Sequence, residues 1–488
     1  MKNIDTKNSM GVSRHDLAAI LAVLAIHLAF HSAKLILGFH ANRFRCLIYC
    51  ATLIASESSL FRRNCQSSAL PRSVITHTGI KIGPKPLPAD SGSRATARAM
   101  KLVLVTSYFP LREQPYRGRT AYKVALELQN SMSVEAICPL TRYPKWFPPR
   151  NFPHWRADPT YSPEGIRTTY VEYPALPGFS RISNGFLCAR YIEQHVRRAR
   201  PDVLQSYWLY PDGFAAVRVG RKLGIPVVLA AVGSDLNRIP DRVTEHFTRK
   251  ALSEATHVMT MSGYLLQAAI RLGARPDKIS SHINGCDTDI FHLQDRALCR
   301  SQLQLDAASQ LIVYVGRLDM LKGLGELLRA AASLVQKYPA LRVACIGDGP
   351  ALSPLQAQAR QLGITSNIIF PGACDSETVA RWLGACNLFS LPSYSEGSPN
   401  VIIEALNCGR PVVATQVGGI HELFDHEAGI LVQPRDASAL GQALDAALQK
   451  TWDEAAIARR YRRSWHDLAE EMRSVLEPIA LARSLSRS

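Results

Sequence analysis

The chain has 488 residues, more than one hydrophobic core usually serves, and its 47% apolar and 20% charged content is ordinary for a soluble globular protein. Its eleven cysteines, an odd number, are scattered and never spaced Cys-x-x-Cys, which argues against a disulfide framework or zinc site and suits a reducing cytoplasm. The net charge of +17 divides into +9 over residues 1–99, +9 over 100–290 and −1 over 291–488, so a basic first part precedes a neutral second part. That asymmetry predicts a face that meets an anionic surface. With no zinc finger, RNA-recognition signature or arginine-rich array in sight, nucleic acid fits poorly. Anionic lipid headgroups or a phosphorylated acceptor fit better, beside the plain alternative of a solvated surface.

Residues 1–99 differ from the rest. A mostly apolar stretch, 17–37, is interrupted by His27, His31, Ser32 and Lys34, which makes it a marginal membrane span. Residues 56–98 are rich in Ser, Arg and Pro and lack periodicity, whereas Met100 runs straight into a strand-like segment. The expectation is an over-long start assignment or a disordered extension, with an N-terminal membrane anchor as the alternative. From Met100 onward, apolar runs alternate with helical patterns. Residues 102–106 are followed by 120–129, where Ala121, Val124, Ala125 and Leu128 share one face. Further strands are expected at 202–204, 226–230 and 257–259. The rhythm restarts at 311–315, continues through a helical stripe from Leu324 to Val335, and adds strands at 341–346, 368–370, 388–391 and 411–415. Near-continuous apolar strands separated by amphipathic helices predict parallel strands buried on both faces, in two doubly wound α/β domains. The boundary falls near residues 290–305, and the cleft between the domains would be lined by the carboxyl ends of both sets of strands.

Residues 395–406 carry the most chemistry. The loop after the strand at 388–391 ends in Gly397. Ser398 suits an N-cap, Pro399 a first helical position, and Gly409 with Pro411 a helix end. A helix tip pointing into the cleft is an anion site, suited to a diphosphate. Glu396 before the helix and Glu404 inside it can each accept paired hydrogen bonds from vicinal hydroxyls, as on ribose or a pyranose. Arg317, at a strand end, and Lys322, at the next helix start, supply cations to the same crevice. Taken singly each feature has a plain reading. The two Glu could be solvated surface, Arg317 a partner for Asp319, and residues 347–350 a tight turn.

In combination and order, these features resemble the nucleotide-binding domain of retaining glycosyltransferases of family four, whose GT-B fold sets two Rossmann-like domains face to face. The resemblance extends through residues 409–415 and 418–422 and covers the chain from Met100 to about residue 475. It implies that Arg317 and Lys322 hold the diphosphate, Glu396 the donor sugar and Glu404 the ribose, with Gly372 near the base. Gly316, Gly397, Ser398 and Asn400 complete the implied nucleotide-sugar site. It also implies an acceptor domain over 100–290, a nucleotide-sugar domain over 291–455, and a closing helix over 456–488 that crosses back. Gly118, preceding a helix, resembles the family's glycine loop and is either a phosphate contact or a turn.

Two positions depart from the family pattern. Histidines common in the loops after the strands at 202–204 and 226–230 are replaced by Tyr207 and Val232. Tyr207 or Asp235 is the candidate substitute in the acceptor or donor-sugar loop, and both could equally be structural. The resemblance implies no metal and no cofactor, since enzymes of this fold do not normally use a metal-binding Asp-x-Asp; Asp287 and Asp289 have that spacing but fall in the interdomain junction. The resulting reading is a retaining, metal-independent hexosyltransferase that moves a sugar from a UDP- or GDP-sugar to a lipid-linked or polysaccharide acceptor in cell-surface glycan synthesis. Its place would be the cytoplasm, peripheral at the inner face of the membrane. The alternative is a non-catalytic nucleotide-sugar-binding or scaffold protein of the same fold.

Overall fold

The computed structural model describes residues 100–144, 157–175 and 180–485, which fall in one compact unit. The stretch at 17–37 and the rest of 1–99 lie outside the described residues. A first sheet contains β1 (Lys101–Val105), β2 (Ser133–Arg142), β3 (Arg167–Pro174), β4 (Val203–Tyr207), β5 (Val227–Ala231), β6 (His257–Thr260) and β7 (Ile279–Ser281), in the order β3-β2-β1-β4-β5-β6-β7. A second contains β8 (Leu311–Val315), β9 (Arg342–Ile346), β10 (Ile368–Gly372), β11 (Leu388–Leu391), β12 (Val412–Thr415) and β13 (Gly429–Val432), in the order β10-β9-β8-β11-β12-β13. Every strand pairing is parallel. Both sheets therefore have the doubly wound order, with a switch point beside the first strand of each. This is the GT-B arrangement of two Rossmann-like α/β halves.

The two-residue period of β1 assigns its faces. Leu102 and Leu104 pack with Leu468, Met472 and Leu476 of the closing helix Trp465–Leu485. Val103 and Val105 pack on the opposite face with Cys188, Ile192 and Val196 of the helix Ser180–Ala199. The closing helix thus completes the core of the first half although it follows the second in sequence. Leu311 to Tyr314 and the helix Leu324–Val335 anchor a separate core in the second half.

The strands absent from the sequence expectation are β2, β3, β7 and β13. Three of these sit at sheet edges, where burial is partial and the apolar run fades; β3 reads Arg167-Thr168-Thr169-Tyr170 at its start. β2 carries Glu135 and Pro139 and so lacks a continuous apolar run. Two local expectations also shift. Pro399, extended at φ −76° and ψ 113°, takes the N-cap position of the helix Asn400–Asn407, so Ser398 is not the cap. Lys322 ends a 3-10 turn, Met320–Lys322, and Gly323 caps the helix that follows.

Candidate functional site

The loops leaving β8, β9, β10 and β11 converge at the carboxyl edge of the second sheet. Gly316 N–H donates to the Ile346 carbonyl (3.0 Å), Leu318 N–H to the Asp348 carbonyl (2.9 Å), and Gly347 N–H to the Gly372 carbonyl (2.8 Å). Tyr394 N–H reaches the Leu321 carbonyl (2.9 Å), tying the arginine-lysine loop to the loop that carries Glu396. A Cβ on Gly323 would stand 1.9 Å from the Pro392 carbonyl oxygen, so only glycine lets these two loops approach this closely.

Lys322 Nζ lies 2.6 Å from Glu396 Oε1, with both side chains largely buried. Arg317, by contrast, projects into solvent at 71% exposure, its Nε 4.0 Å from Asp319 Oδ2. The structure therefore joins Lys322 and Glu396 and leaves the Arg317 side chain in solvent beside Asp319. Gly397 and Ser398 lead into the helix Asn400–Asn407, and Ser398 Oγ is buried without a partner among the described residues. Asn400 Oδ1 accepts from Asn284 Nδ2 (2.8 Å), which joins the helix tip to the junction between the halves. Glu404 is half-buried, and its carboxyl makes no hydrogen bond or ion pair among the described residues. Burial pushes its carboxyl up to about 7; the Arg119 guanidinium opposes that rise and the Asp287 carboxylate adds to it.

Across the cleft, Gly118 lies against the Tyr108 carbonyl, and the next residue does what sequence reasoning missed. Arg119 donates to Ser376 Oγ of the second half (2.7 Å) and pairs with Asp287. Lys123 adds a second bond to Asp287 at 2.9 Å. The acid with metal-like spacing is thus occupied by two cations, and no group of three His, Cys, Asp or Glu suited to a metal occurs among the described residues.

The candidate Tyr207 needs correction. As the last residue of β4 it faces the closing helix, buried, with its hydroxyl 3.6 Å from Met472 Sδ, and so it does not reach the cleft. Its neighbour Trp208 turns to the cleft side instead, stacked on Tyr108. Asp235 lies in the short helix Ser234–Asn237 after β5. It is buried, Oδ1 accepts from Gly233 N–H (2.9 Å), and Oδ2 has no partner among the described residues. Burial pushes its carboxyl up to about 6 against several backbone hydrogen bonds. Its segment touches the Glu396 loop of the second half, where Asn237 Nδ2 donates to the Glu396 carbonyl (3.4 Å), and nearby Ser262 Oγ donates to the Gly397 carbonyl (3.2 Å).

A family model described as glycosyl transferases group 1 matches residues 309–450, and one described as a glycosyl transferase 4-like domain matches residues 118–285. A Bacillus subtilis protein named for teichuronic acid biosynthesis, the glycosyltransferase TuaC, is 30% identical over 372 residues, covering 71% of this chain and 88% of its own length. A D-inositol 3-phosphate glycosyltransferase of Frankia alni is 31% identical over 314 residues, covering 58% of this chain and 76% of that protein. Among solved structures, Anabaena Alr3699/HepE in complex with UDP shares the fold with a TM-score of 0.60 at 19% identity, over 78% of this chain and 100% of that one.

Proposed function

The chain belongs to the group 1 glycosyltransferases, and from that premise we propose that it is a retaining, metal-independent hexosyltransferase using a UDP- or GDP-sugar and a lipid-linked or polysaccharide acceptor. The observation that carries this reading is the Lys322–Glu396 pair, 2.6 Å apart at the tip of a helix whose Glu404 is unengaged. A donor entering here replaces the internal pair with better ones. Its diphosphate takes the Lys322 ammonium and the helix amides, and its sugar hydroxyls donate to Glu396. Arg317, already extended, folds down onto the diphosphate, and the ribose hydroxyls donate to Glu404. Charge building on the departing diphosphate is then stabilised by fixed cations and backbone dipoles, the term that carries most of the rate in such a site.

Peripheral contact with an anionic membrane surface fits the outer side of the helix Ser180–Ala199. It exposes Ile182, Phe186 and Tyr191 beside Arg181, Arg190, Arg197 and Arg198. No helix among the described residues is long and apolar enough to cross a membrane. Relatives named for teichuronic acid biosynthesis and for inositol 3-phosphate point toward a glycan or phosphorylated acceptor in cell-envelope synthesis.

Lys322→Ala and Glu396→Ala are each expected to lower transfer by roughly a hundredfold or more, read as nucleoside diphosphate release from a panel of UDP- and GDP-sugars. Turnover unchanged in both variants would overturn the assignment. Donor binding without transfer or donor hydrolysis, across the same panel and lipid-linked acceptors, would turn the chain into a binding protein of this fold.

A further inference from the structure

The helix Arg119–Leu128 starts at a fixed point, because a Cβ on Gly118, at φ +64°, would stand 1.9 Å from the Tyr108 carbonyl oxygen. Arg119 is its first side chain, and it reaches out of the first half. Its Nη1 donates to Ser376 Oγ at 2.7 Å, and its Nη2 pairs with Asp287, which Lys123 Nζ also holds at 2.9 Å. Ser376 opens the helix Ser376–Ala385, just after the Gly372 turn. Asp287 follows Asn284, whose Nδ2 is bound to Asn400 Oδ1 (2.8 Å) at the tip of the helix that carries Glu404. The guanidinium is thus clamped between the two segments that the reading above gives to the base and the ribose. Beside it, the Glu404 carboxyl is half-buried and has no partner among the described residues. The charged groups that act on Glu404 are Arg119, which favours the ionised form, and Asp287, which opposes it. The Cys286 and Cys408 thiols face it too, and burial keeps both protonated.

We propose that Arg119 is a positioning residue for the ribose of the donor: fixed across the cleft by Ser376 and Asp287, it supplies the positive charge that lets the half-buried Glu404 receive both ribose hydroxyls as an anion. The inference rests on the transferase reading above and gives the first half a share in the ribose subsite. Two vicinal hydroxyls can both donate to a carboxylate, whereas a protonated carboxyl turns one of its oxygens into a donor. A buried carboxylate without a counter-charge takes up a proton instead. Arg119 prevents this through Glu404 rather than on the nucleotide, since its Nη1 and Nη2 are already engaged by Ser376 and Asp287. The two cations on Asp287 therefore differ in duty. Lys123 neutralises that acid, and Arg119 neutralises it while also serving Glu404. Removing the guanidinium acts twice in one direction, because Glu404 loses its cation and Asp287 faces it less screened. With Arg119 in place burial holds the Glu404 carboxyl at about 7, so ribose recognition strengthens as pH rises through that value. Without Arg119 the same rise moves to higher pH.

The test measures the affinity of the full chain for UDP and GDP by calorimetry, takes the tighter of the two, and compares it with its 2′,3′-dideoxy counterpart from about pH 6 to about pH 9. The ratio of the two dissociation constants isolates the ribose hydroxyls, because base, diphosphate and the titration of the phosphate itself cancel. The wild type prefers the ribose form about tenfold or more at high pH and loses that preference as pH falls through about 7. Arg119→Met moves the midpoint up by about one pH unit and lowers the ratio about threefold at about pH 7.5. Arg119→Gln, which keeps a hydrogen-bond donor for Ser376 and loses only the charge, shows the same shift and carries the test if the methionine variant fails to fold. Lys123→Met, which takes the other cation from Asp287, stays close to the wild-type midpoint. A wild-type midpoint in Arg119→Gln, or equal shifts in Arg119→Gln and Lys123→Met, overturns the proposal. A ratio in Glu404→Gln that still follows the wild-type pH profile places the ribose elsewhere and sinks the Glu404 assignment on which the proposal stands. Absence of binding of either nucleotide by the wild type sinks the transferase reading beneath both.

Discussion

The Glu404 carboxyl stands half-buried with no hydrogen-bond partner among the described residues, and its proton is the consequence. Burial lifts its carboxyl from an ordinary value of 4.5 to about 7. The folded state then holds this proton more tightly than the unfolded chain does. Its contribution to stability is complete below about pH 4.5 and is lost as pH rises through about 7. Glu404→Gln keeps the shape and removes the ionisation. The variant should melt several degrees above the wild type at pH 8, with the gap closing below pH 4.5 (the ordinary carboxyl value), in calorimetric scans. Parallel pH profiles for the two proteins would show that Glu404 ionises freely. The residue scale also shows where sequence reading stops. The sequence pattern put Glu396 and Lys322 in loops that follow strands, and the structure brings these two side chains together; it put Glu404 inside a helix, where it lies in Asn400–Asn407. The place of Tyr207 was not legible, because β4 ends at that residue and a step of one position exchanges the core face for the cleft face. The aromatic residue on the cleft side is Trp208, one position beyond the strand, where the alternation of strand faces no longer applies.

Loops, rather than helices or strands, fix the donor side, and they do so through backbone contact. Gly418, at φ +56°, would place a Cβ 1.9 Å from the Glu396 carbonyl oxygen, and Gly419 N–H donates to the Gly397 carbonyl at 3.0 Å. The turn after β12 is therefore the floor on which the Glu396 loop rests. Gly363 supplies the control: it sits at φ +70° with nothing within 4 Å of a built Cβ. Gly363→Ala should cost about 1 kcal/mol of stability from backbone strain alone. Gly418→Ala carries that strain and also displaces Glu396, so UDP-sugar affinity should fall tenfold or more in this variant only. Equal affinities in the two variants would mean the turn does not position the loop. The strands feeding these loops were legible, since β8, β9, β11 and β12 are buried apolar runs in the middle of a sheet. Edge strands such as β3 and β13 have fewer neighbours to impose that pattern, which is why composition did not mark them.

Across the whole molecule, the two halves meet through contacts that include a charge on a helix end. Glu422, in the turn after β12, accepts from Gly263 N–H (2.6 Å, Oε2) and Tyr264 N–H (2.8 Å, Oε1), the first two amides of the first half's helix Gly263–Arg271. Ser262 caps the same helix by accepting from Leu265 N–H and also donates to the Gly397 carbonyl beside the donor acid. A carboxylate at a helix amino end gains both hydrogen bonds and the favourable end of the helix dipole. Here the helix and the acid belong to different sheets, so the energy holds the cleft together rather than the helix. Bonds to a charged group contribute about 1.5–3 kcal/mol, enough to shift an opening equilibrium by roughly tenfold or more. Glu422→Ala should therefore speed hydrogen exchange at the Gly263 and Tyr264 amides by about that factor and increase the radius of gyration in X-ray scattering. Affinity for UDP should hold, because the residues assigned to the nucleotide lie in the second half, while transfer to an acceptor should fall. Unchanged exchange at those two amides would mean that this contact has no part in closure, and other bridges, among them Arg119 to Ser376, Asn237 to the Glu396 carbonyl and Ser262 to the Gly397 carbonyl, would have to hold the halves without it.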